Sequence, residues 1–334
     1  MIKITDMTHE TTPIRIGIVG YGNLGRGVEH AIAQNADLEL VAIFTRRSPE
    51  SLPTTSKVVA LDQVLEYKTK IDVMILCGGS STDLPEQVIQ LATHFNTVDS
   101  FDNHGKIPAY FAKVEQCTKA NQTLSLISTG WDPGLFSMLR LVGESILPQG
   151  ETYTFWGKGL SQGHSDAIRR LAGVKNGVQY TLPIETALEE VRAGQNPTFT
   201  AAEKHQRVCY VVAEEGADQQ QIAQEIQTMP NYFEPYHTTV HFISEEELKL
   251  NHSAMPHGGF VLRSGKTGNG NQQHMEFGLK LESNPEFTAS VLVAFTRAIA
   301  KMAKEGHIGA KTVFDIPLGY LSPKSPEQLR AALL

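Results

Sequence analysis

Cysteine is scarce in this sequence, and so are tryptophan and long apolar runs. The three cysteines, Cys77, Cys117 and Cys209, are odd in number, far apart and without a CxxC pair. That spacing suggests neither a disulfide framework nor a zinc site, so no metal is expected, and a reducing cytoplasm fits best. No stretch approaches the ~20 apolar residues of a membrane span. Residues Met1 to Pro13 are too polar to hold a signal peptide's apolar core and read as an extension ahead of the first domain. Positive charge is in the minority: 29 Lys and Arg against 36 Asp and Glu leave a formal net charge of −7, which disfavours nucleic acid and anionic membranes as partners. Internal repeats and low-complexity tracts are missing too.

What remains is a chain of 334 residues, long enough for two domains that each bury a core. Its first third alternates short apolar runs with helical patterns. Ile14 to Val19, Leu38 to Phe44, Asp72 to Leu76, Thr97 to Asp99 and Leu124 to Ser128 read as strands. Leu24 to Ala33, Leu84 to Phe95 and Ala109 to Ala120 read as the crossover helices between them. The pattern predicts an α/β fold over 14–131, a doubly wound parallel sheet of Rossmann type. After Trp131 the texture changes. Tyr153 to Trp156, Gln179 to Leu182, Arg207 to Ala213, His237 to Ile243, Gly259 to Arg263 and His274 to Leu281 read as strands, with helices at Gln219 to Ile226 and Phe287 to Lys304. This predicts a mixed α+β second domain over 132–308, its open sheet packing on itself or on a twin subunit, with 309–334 returning to the first domain.

Residues 18–30 read IVGYGNLGRGVEH and place Gly20, Gly22 and Gly25 in a GxGxxG spacing, directly after a strand and at the start of a helix. Gly20 permits a tight turn, Gly22 lets backbone approach a pyrophosphate, and Gly25 lets helix and strand pack closely. The spacing alone also fits a glycine-rich turn; the strand–loop–helix setting favours dinucleotide binding. An NAD site wants Asp or Glu at the end of the second strand for the ribose 2′-hydroxyl, whereas this chain offers Thr45, Arg46, Arg47 and Ser48. Two guanidiniums and two hydroxyls suit a 2′-phosphate, so NADP is the expected cofactor, unless the arginines are a solvated surface pair. Cys77, Gly78, Gly79 and Ser80 follow the next strand, where small residues let a cofactor lie against backbone. Cys77 reads as a small buried hydrophobe rather than a nucleophile.

Ligands of open α/β sheets gather beyond the carboxyl ends of strands. There the chain reads Ser100-Phe101-Asp102-Asn103-His104 and Thr129-Gly130-Trp131-Asp132-Pro133-Gly134, each with an acidic residue near an aromatic. Carboxylates at such a mouth suggest a cationic substrate group such as an ammonium. Asp132 also fits as N-cap of a helix opened by Pro133. The second domain adds Trp156, Gln162, Gly163, Thr181, Arg207, His257 and Asn284. An Arg on a strand beside hydroxyl, imidazole and amide groups suits a bidentate clamp on a carboxylate. Taken singly, each also fits a surface Arg, a helix cap or a turn His.

The motifs IVGYGNLGRGVE, FTRRS, DSFDNH, STGWDPGLFS, FWGKGLSQGHSDAIRR, QYTLP, TMPNYF, MPHGGF and NPEFTAS, in this order from about Ile14 to Leu321, resemble the meso-diaminopimelate dehydrogenase family. Departures are confined to the residues before Ile14 and a linker near Gly194 to Thr200. The resemblance implies NADP-dependent, reversible oxidative deamination of meso-2,6-diaminopimelate at its D-centre, yielding L-2-amino-6-oxopimelate and ammonia, in lysine biosynthesis. It implies a homodimer joined through a substrate-binding and dimerisation domain. Cofactor positions implied are Gly20, Tyr21, Gly22, Asn23, Leu24, Gly25, Thr45, Arg46, Arg47, Cys77, Gly78, Gly79, Ser80, Ser100, Phe101, Asp102, Thr129, Gly130, Trp131, Asp132 and Pro133. Substrate positions implied are Asp102, Trp131, Asp132, Trp156, Gln162, Gly163, Thr181, Arg207, His257 and Asn284, with Asp102 and Asp132 as candidates for holding the reacting amine. The alternatives are a dihydrodipicolinate-reductase-like or saccharopine-like NADP oxidoreductase, which releases no ammonia, or a non-catalytic NADP-binding regulator, which has no need of the paired acidic and Trp positions.

Overall fold

The stretch Ile14–Val19 reads I-R-I-G-I-V, and all of it except Arg15 is buried, as a strand covered on both faces requires. It is β1 of a computed structural model that describes residues 12–230 and 232–334; the part of the expected extension up to residue 11 lies outside the described residues. After β1 come α1 (Asn23–Ala33), β2 (Leu38–Thr45), β3 (Val58–Ala60), β4 (Val73–Leu76), α2 (Leu84–Ala92), β5 (Asn96–Asp99), α3 (Ile107–Asn121), β6 (Leu124–Leu126) and α4 (Leu135–Ile146). Then follow β7 (Gly150–Trp156), β8 (Gly159–Leu160), α5 (Gln162–Arg169), β9 (Val174–Pro183), α6 (Glu185–Arg192), α7 (Ala201–Lys204) and β10 (His205–Ala213). The chain continues through α8 (Gln219–Gln227), β11 (His237–Phe242), α9 (Glu245–Asn251), β12 (His257–Lys266), β13 (Gln272–Leu281), α10 (Asn284–Lys304), β14 (Gly309–Lys311) and α11 (Pro326–Leu333).

Two compact units result. One runs to Ser137 and resumes from Pro285 to Leu334; the other is Met138–Asn284. The first contains a seven-stranded sheet in the order β14-β6-β5-β4-β1-β2-β3, parallel at every pairing. Strand order reverses between β1 and β4, which makes their carboxyl ends the expected ligand crevice. Its core joins Phe44, Met74, Leu76 and Ile127 of the sheet side to Leu84 and Val88 of α2 and Val114 of α3. The short β3 carries too few residues for a periodic signal.

The second unit holds two sheets, β11-β10-β9-β8 and β13-β12-β7. In β10, His205, Arg207, Cys209 and Val211 alternate with less buried residues and so share one face. Cys209 and Val211 pack on Ile168, Ile222 and Ile226, leaving His205 and Arg207 at the end of that face. The other sheet sets Tyr153, Phe155 and Leu262 against Ala187, Leu188 and Val191 of α6. α5 and α6 are short and carry few apolar residues, so their spacing does not announce them.

One boundary expected from the sequence is corrected. The second domain does not extend to residue 308: from Pro285 onward the chain belongs to the first unit. The physical reason is visible at Arg297, only 2% exposed. Its Nε donates to Asp37 Oδ2 at 2.5 Å, Nη2 to Asp37 Oδ1 at 2.8 Å and to Asn35 Oδ1 at 2.7 Å, and Nη1 to the Leu321 carbonyl at 2.8 Å. The Arg297 hydrogen bonds hold the Asp37 carboxyl below its usual range, against the opposing effect of burial. β14 then pairs in parallel with β6, Gly309 beside Leu124. Replacing Arg297 by Met strands Asp37 without its partner, and a loss on the order of 3 kcal/mol in urea unfolding is expected; a midpoint unchanged from wild type would show the contact to be dispensable.

Candidate functional site

Sequence chemistry dictates the turn after β1. Gly20 adopts φ +91°, and a Cβ on Gly25 would lie 2.2 Å from the Gly20 carbonyl oxygen, so neither position accepts a side chain without strain. Gly22 faces open space, with nothing within 4 Å of a built Cβ. Asn23 and Leu24 open α1, whose first turn holds no acidic residue and no side-chain cap bond. The positive end of the helix is thereby left for an anion. A cleft of ≈ 280 Å³ lies here, lined among others by Gly20, Tyr21, Gly22, Thr45, Arg46, Arg47, Cys77, Gly78, Gly79 and Asp83.

Thr45 is buried at the end of β2 and its Oγ1 accepts from the Arg47 N–H at 3.1 Å. Arg47 Nη2 donates to the Tyr21 carbonyl at 2.5 Å, tying the arginine segment to the glycine turn. Arg46, 71% exposed at its side chain, pairs with Asp83 at 2.6 Å. Burial opposes ionisation of Asp83, but the Gly79 N–H and Arg46 outweigh it and hold the carboxyl below its ordinary value. Burial pushes the Cys77 thiol up to about 12, which removes it as a nucleophile.

The ends of β5 and β6 bring the remaining first-unit candidates together. The Asp102 N–H donates to Ser80 Oγ at 3.1 Å, and Asp102 itself is exposed. Ser100 and the buried Phe101 precede it. Thr129, Gly130, Trp131 and Pro133 are buried and Asp132 is half-buried. The Trp131 ring stands edge-on to Phe136 with centroids 5.3 Å apart. The N-cap reading of Asp132 is corrected: α4 opens at Leu135, because the Gly130 N–H closes a turn onto the Pro133 carbonyl at 2.8 Å and Gly134 takes φ +127°.

In the second unit the candidates gather around β8. Thr181 is the register partner of both Gly159 and Arg207. The Arg207 Nη1 donates to Thr181 Oγ1. A Cβ on Gly159 would strike the His257 ring at 2.3 Å, so that imidazole lies against the strand. Gln162 Nε2 reaches Met255 Sδ at 3.2 Å, while the Asn284 N–H donates to the Met255 carbonyl at 2.9 Å. Gly163 adds an open position beside Gln162. Trp156 donates its N–H to His205 Nε2 at 2.8 Å and stacks on the same ring, centroids 5.2 Å apart.

Arg207 dominates the electrostatics. It is 6% exposed, its Nε has no partner, and no carboxylate among the described residues pairs with it. Its guanidinium lies 4.0 Å over the Tyr236 ring. Burial, then the Arg207 charge, lowers His164 to about 4. Burial, then Lys204 and Arg207, lowers His205 to about 3. A buried cation amid neutral donors is a receptor for an anion. Sequence reasoning overlooked His205, Tyr236, Asp83 and Asp99. His205 alone had a signal, two residues from Arg207 and therefore on the same strand face.

Residues 130–283 match the family model of the diaminopimelic acid dehydrogenase C-terminal domain. The meso-diaminopimelate D-dehydrogenase of Ureibacillus thermosphaericus is 63% identical over 323 residues, 96% of this chain and 99% of that protein. The chain belongs to the meso-diaminopimelate D-dehydrogenase family. The Corynebacterium glutamicum DAP dehydrogenase in complex with DAP superposes with a TM-score of 0.93 at 45% identity, covering 97% of this chain and 100% of that one. An engineered D-amino acid dehydrogenase bound to NADP+ gives 0.88 at 44% identity, with 97% and 100% covered. The expected fold, a doubly wound parallel sheet in one unit and mixed sheets in a second, is the one observed.

The two depressed histidines carry a pH signature. In the unfolded chain each takes up a proton near pH ~6.5, whereas in the fold it does so only near 4 or 3. Between those values the unfolded state binds more protons, so stability present above the ordinary value is lost as pH falls. Asp99, raised to about 6 by burial, acts oppositely and gains stability as pH falls through 6. A His164→Asn, His205→Gln double variant is expected to flatten the acid-side decline in denaturant-measured stability between about pH 6.5 and 4. An unchanged slope would mean that neither ring is neutral for the reason given.

Proposed function

We propose that this chain catalyses the NADP-dependent, reversible oxidative deamination of meso-2,6-diaminopimelate at its D-centre, giving L-2-amino-6-oxopimelate and ammonia, in lysine biosynthesis. The observation that carries this reading is Arg207, a buried guanidinium that no carboxylate of the described chain neutralises. With Thr181, His257 and Asn284 it grips the carboxylate and amine of the distal L-end, which leaves the D-carbon as the reacting centre. Gln162, Gly163 and Trp156 complete the substrate set. The DAP-bound Corynebacterium relative supports the substrate class.

The residues after β1, β2 and β4 fit NADP. Gly22 leaves room for backbone to approach a pyrophosphate, and the Arg46 and Arg47 guanidiniums offer forked donors to a 2′-phosphate. The NADP+-bound engineered neighbour supports the same assignment. Ser100 to Asp102 and Thr129 to Pro133 extend the cofactor set. When bound, NADP+ accepts the hydride.

The chain supplies what precedes and follows. The α-carbon gives up hydride only when its amine is neutral, so a proton must leave the ammonium first. Asp102 and Asp132 accept hydrogen bonds from that amine, and one of them passes its proton toward water. The resulting substrate imine takes up water and releases ammonia.

Assembly and location belong to the same proposal: a homodimer joined through the second unit, in the cytoplasm. Leu141, Val142 and Ile146 on α4 support a covered apolar face, being 46%, 44% and 60% exposed. Among the described residues no helix is long and apolar enough to cross a membrane.

The deciding assay follows NADP+ reduction with meso-, LL- and DD-diaminopimelate. Turnover of the meso form and none of the LL form is expected; an inert meso isomer rejects the reading. Arg207→Met should raise the KM for diaminopimelate at least about tenfold with the NADP+ KM nearly unchanged. Equal loss of both would make the residue structural. Arg46→Asp should raise the KM for NADP+ far more than for NAD+; an unaltered preference would remove this arginine from the 2′-phosphate site.

A further inference from the structure

Asp99 ends β5 with its side chain fully buried, 0% exposed. Burying a carboxyl is costly, and the donors that meet one oxygen of this one come from the two segments that lead into the acidic candidates. Asp99 Oδ1 accepts from the Phe101 N–H at 2.9 Å and from the Ser128 N–H at 3.1 Å. Phe101 immediately precedes Asp102, and Ser128 stands three residues before Trp131. The Asp99 carbonyl oxygen also accepts from the Thr129 N–H at 2.9 Å. Oδ2 accepts from the Tyr110 hydroxyl at 2.8 Å. Tyr110 in turn stacks on Phe101, centroids 4.1 Å apart and planes at 17°. One oxygen atom is thus shared by both loops.

We infer that Asp99 is a positioning residue of the reaction: its Oδ1 pins the Phe101 and Ser128 amides together and so fixes the separation of Asp102 from Trp131 and Asp132. This rests on the functional reading above, in which those two carboxylates hold the reacting amine. Asp99 touches neither substrate nor cofactor in that reading. The bracing depends on an acceptor oxygen and not on charge. An Asn at this position presents its amide oxygen to both N–H groups and its NH2 to the Tyr110 oxygen, which accepts.

The test compares Asp99→Ala and Asp99→Asn in the full-length protein by steady-state kinetics and by amide hydrogen exchange. Asp99→Ala is expected to lower kcat by about tenfold or more, because small misplacements of catalytic groups are expensive, while the NADP+ KM shifts less than about threefold. Asp99→Asn is expected to stay within about threefold of wild type in both. Amides in 100–104 and 128–134 should exchange faster in Asp99→Ala and at wild-type rates in Asp99→Asn. An Asn variant as impaired as the Ala variant overturns the inference by making charge the operative property. So does an Ala variant with unaltered kcat or unaltered exchange. If Asp99→Ala does not fold, Asp99→Asn decides alone, a loss of about tenfold or more in its kcat being the overturning result. The exchange arm needs no turnover, so it separates failure of this inference from failure of the proposed reaction.

Discussion

A guanidinium taken out of water and given no carboxylate partner among the described residues is the constraint around which the second unit is built. Arg207 is buried on β10, hydrogen-bonded to a threonine, stacked on a tyrosine and left with an idle Nε. A protein carboxylate beside it would satisfy the charge and occupy the place of a ligand. Instead the neighbours are neutral: Thr181, the Tyr236 ring, and two histidines that burial and the arginine's own field keep from protonating. The local cost is carried by the apolar cluster farther along the same strand, where Cys209 and Val211 of β10 pack on Ile168, Ile222 and Ile226. Register does the rest, since Thr181 faces Gly159 on one side and Arg207 on the other.

The first unit solves a different problem, that of exposing backbone. Parallel strands buried on both faces end together, and their small residues leave the turns bare of side chains. Hydrogen bonds between successive turns then fix their spacing. Arg47 reaches back to Tyr21, Asp83 reaches Gly79 and Arg46, and Asp102 reaches Ser80. The chemistry-bearing groups sit on loops, but each loop is tied to the next.

Much of this could be read from residue order. Ile14 to Val19, the glycine spacing and the arginine pair after Phe44 announced the dinucleotide-type sheet because period, turn chemistry and charge all agreed. The second unit's main strands were legible from alternation, most clearly in β10. What escaped was held by tertiary partners. β3 is three residues long, and α5 and α6 carry only a few apolar side chains each. Phe287 to Lys304 reads as a helix whichever unit it packs against. Its attachment depends on Arg297 finding Asp37, more than two hundred residues earlier. Tyr236 over Arg207 and Asp99 beneath two loops are likewise long-range contacts that no local pattern encodes. Asp132 misled in the opposite way: an acidic residue before Pro predicts a helix start, yet the turn closed by Gly130 defers the helix to Leu135.

The return of the chain to the first sheet at β14 has a bearing on synthesis. Met138–Asn284 is continuous, so all residues of that unit are present once Asn284 has left the ribosome. The nucleotide-type unit begins earlier but ends later, because its outermost strand and the helix anchored by Arg297 are translated after Asn284. The domain whose amino terminus emerges first is therefore the second to be finished. In the interval β6 is an edge strand awaiting a neighbour, and the growing chain is exposed to wrong pairings at that edge.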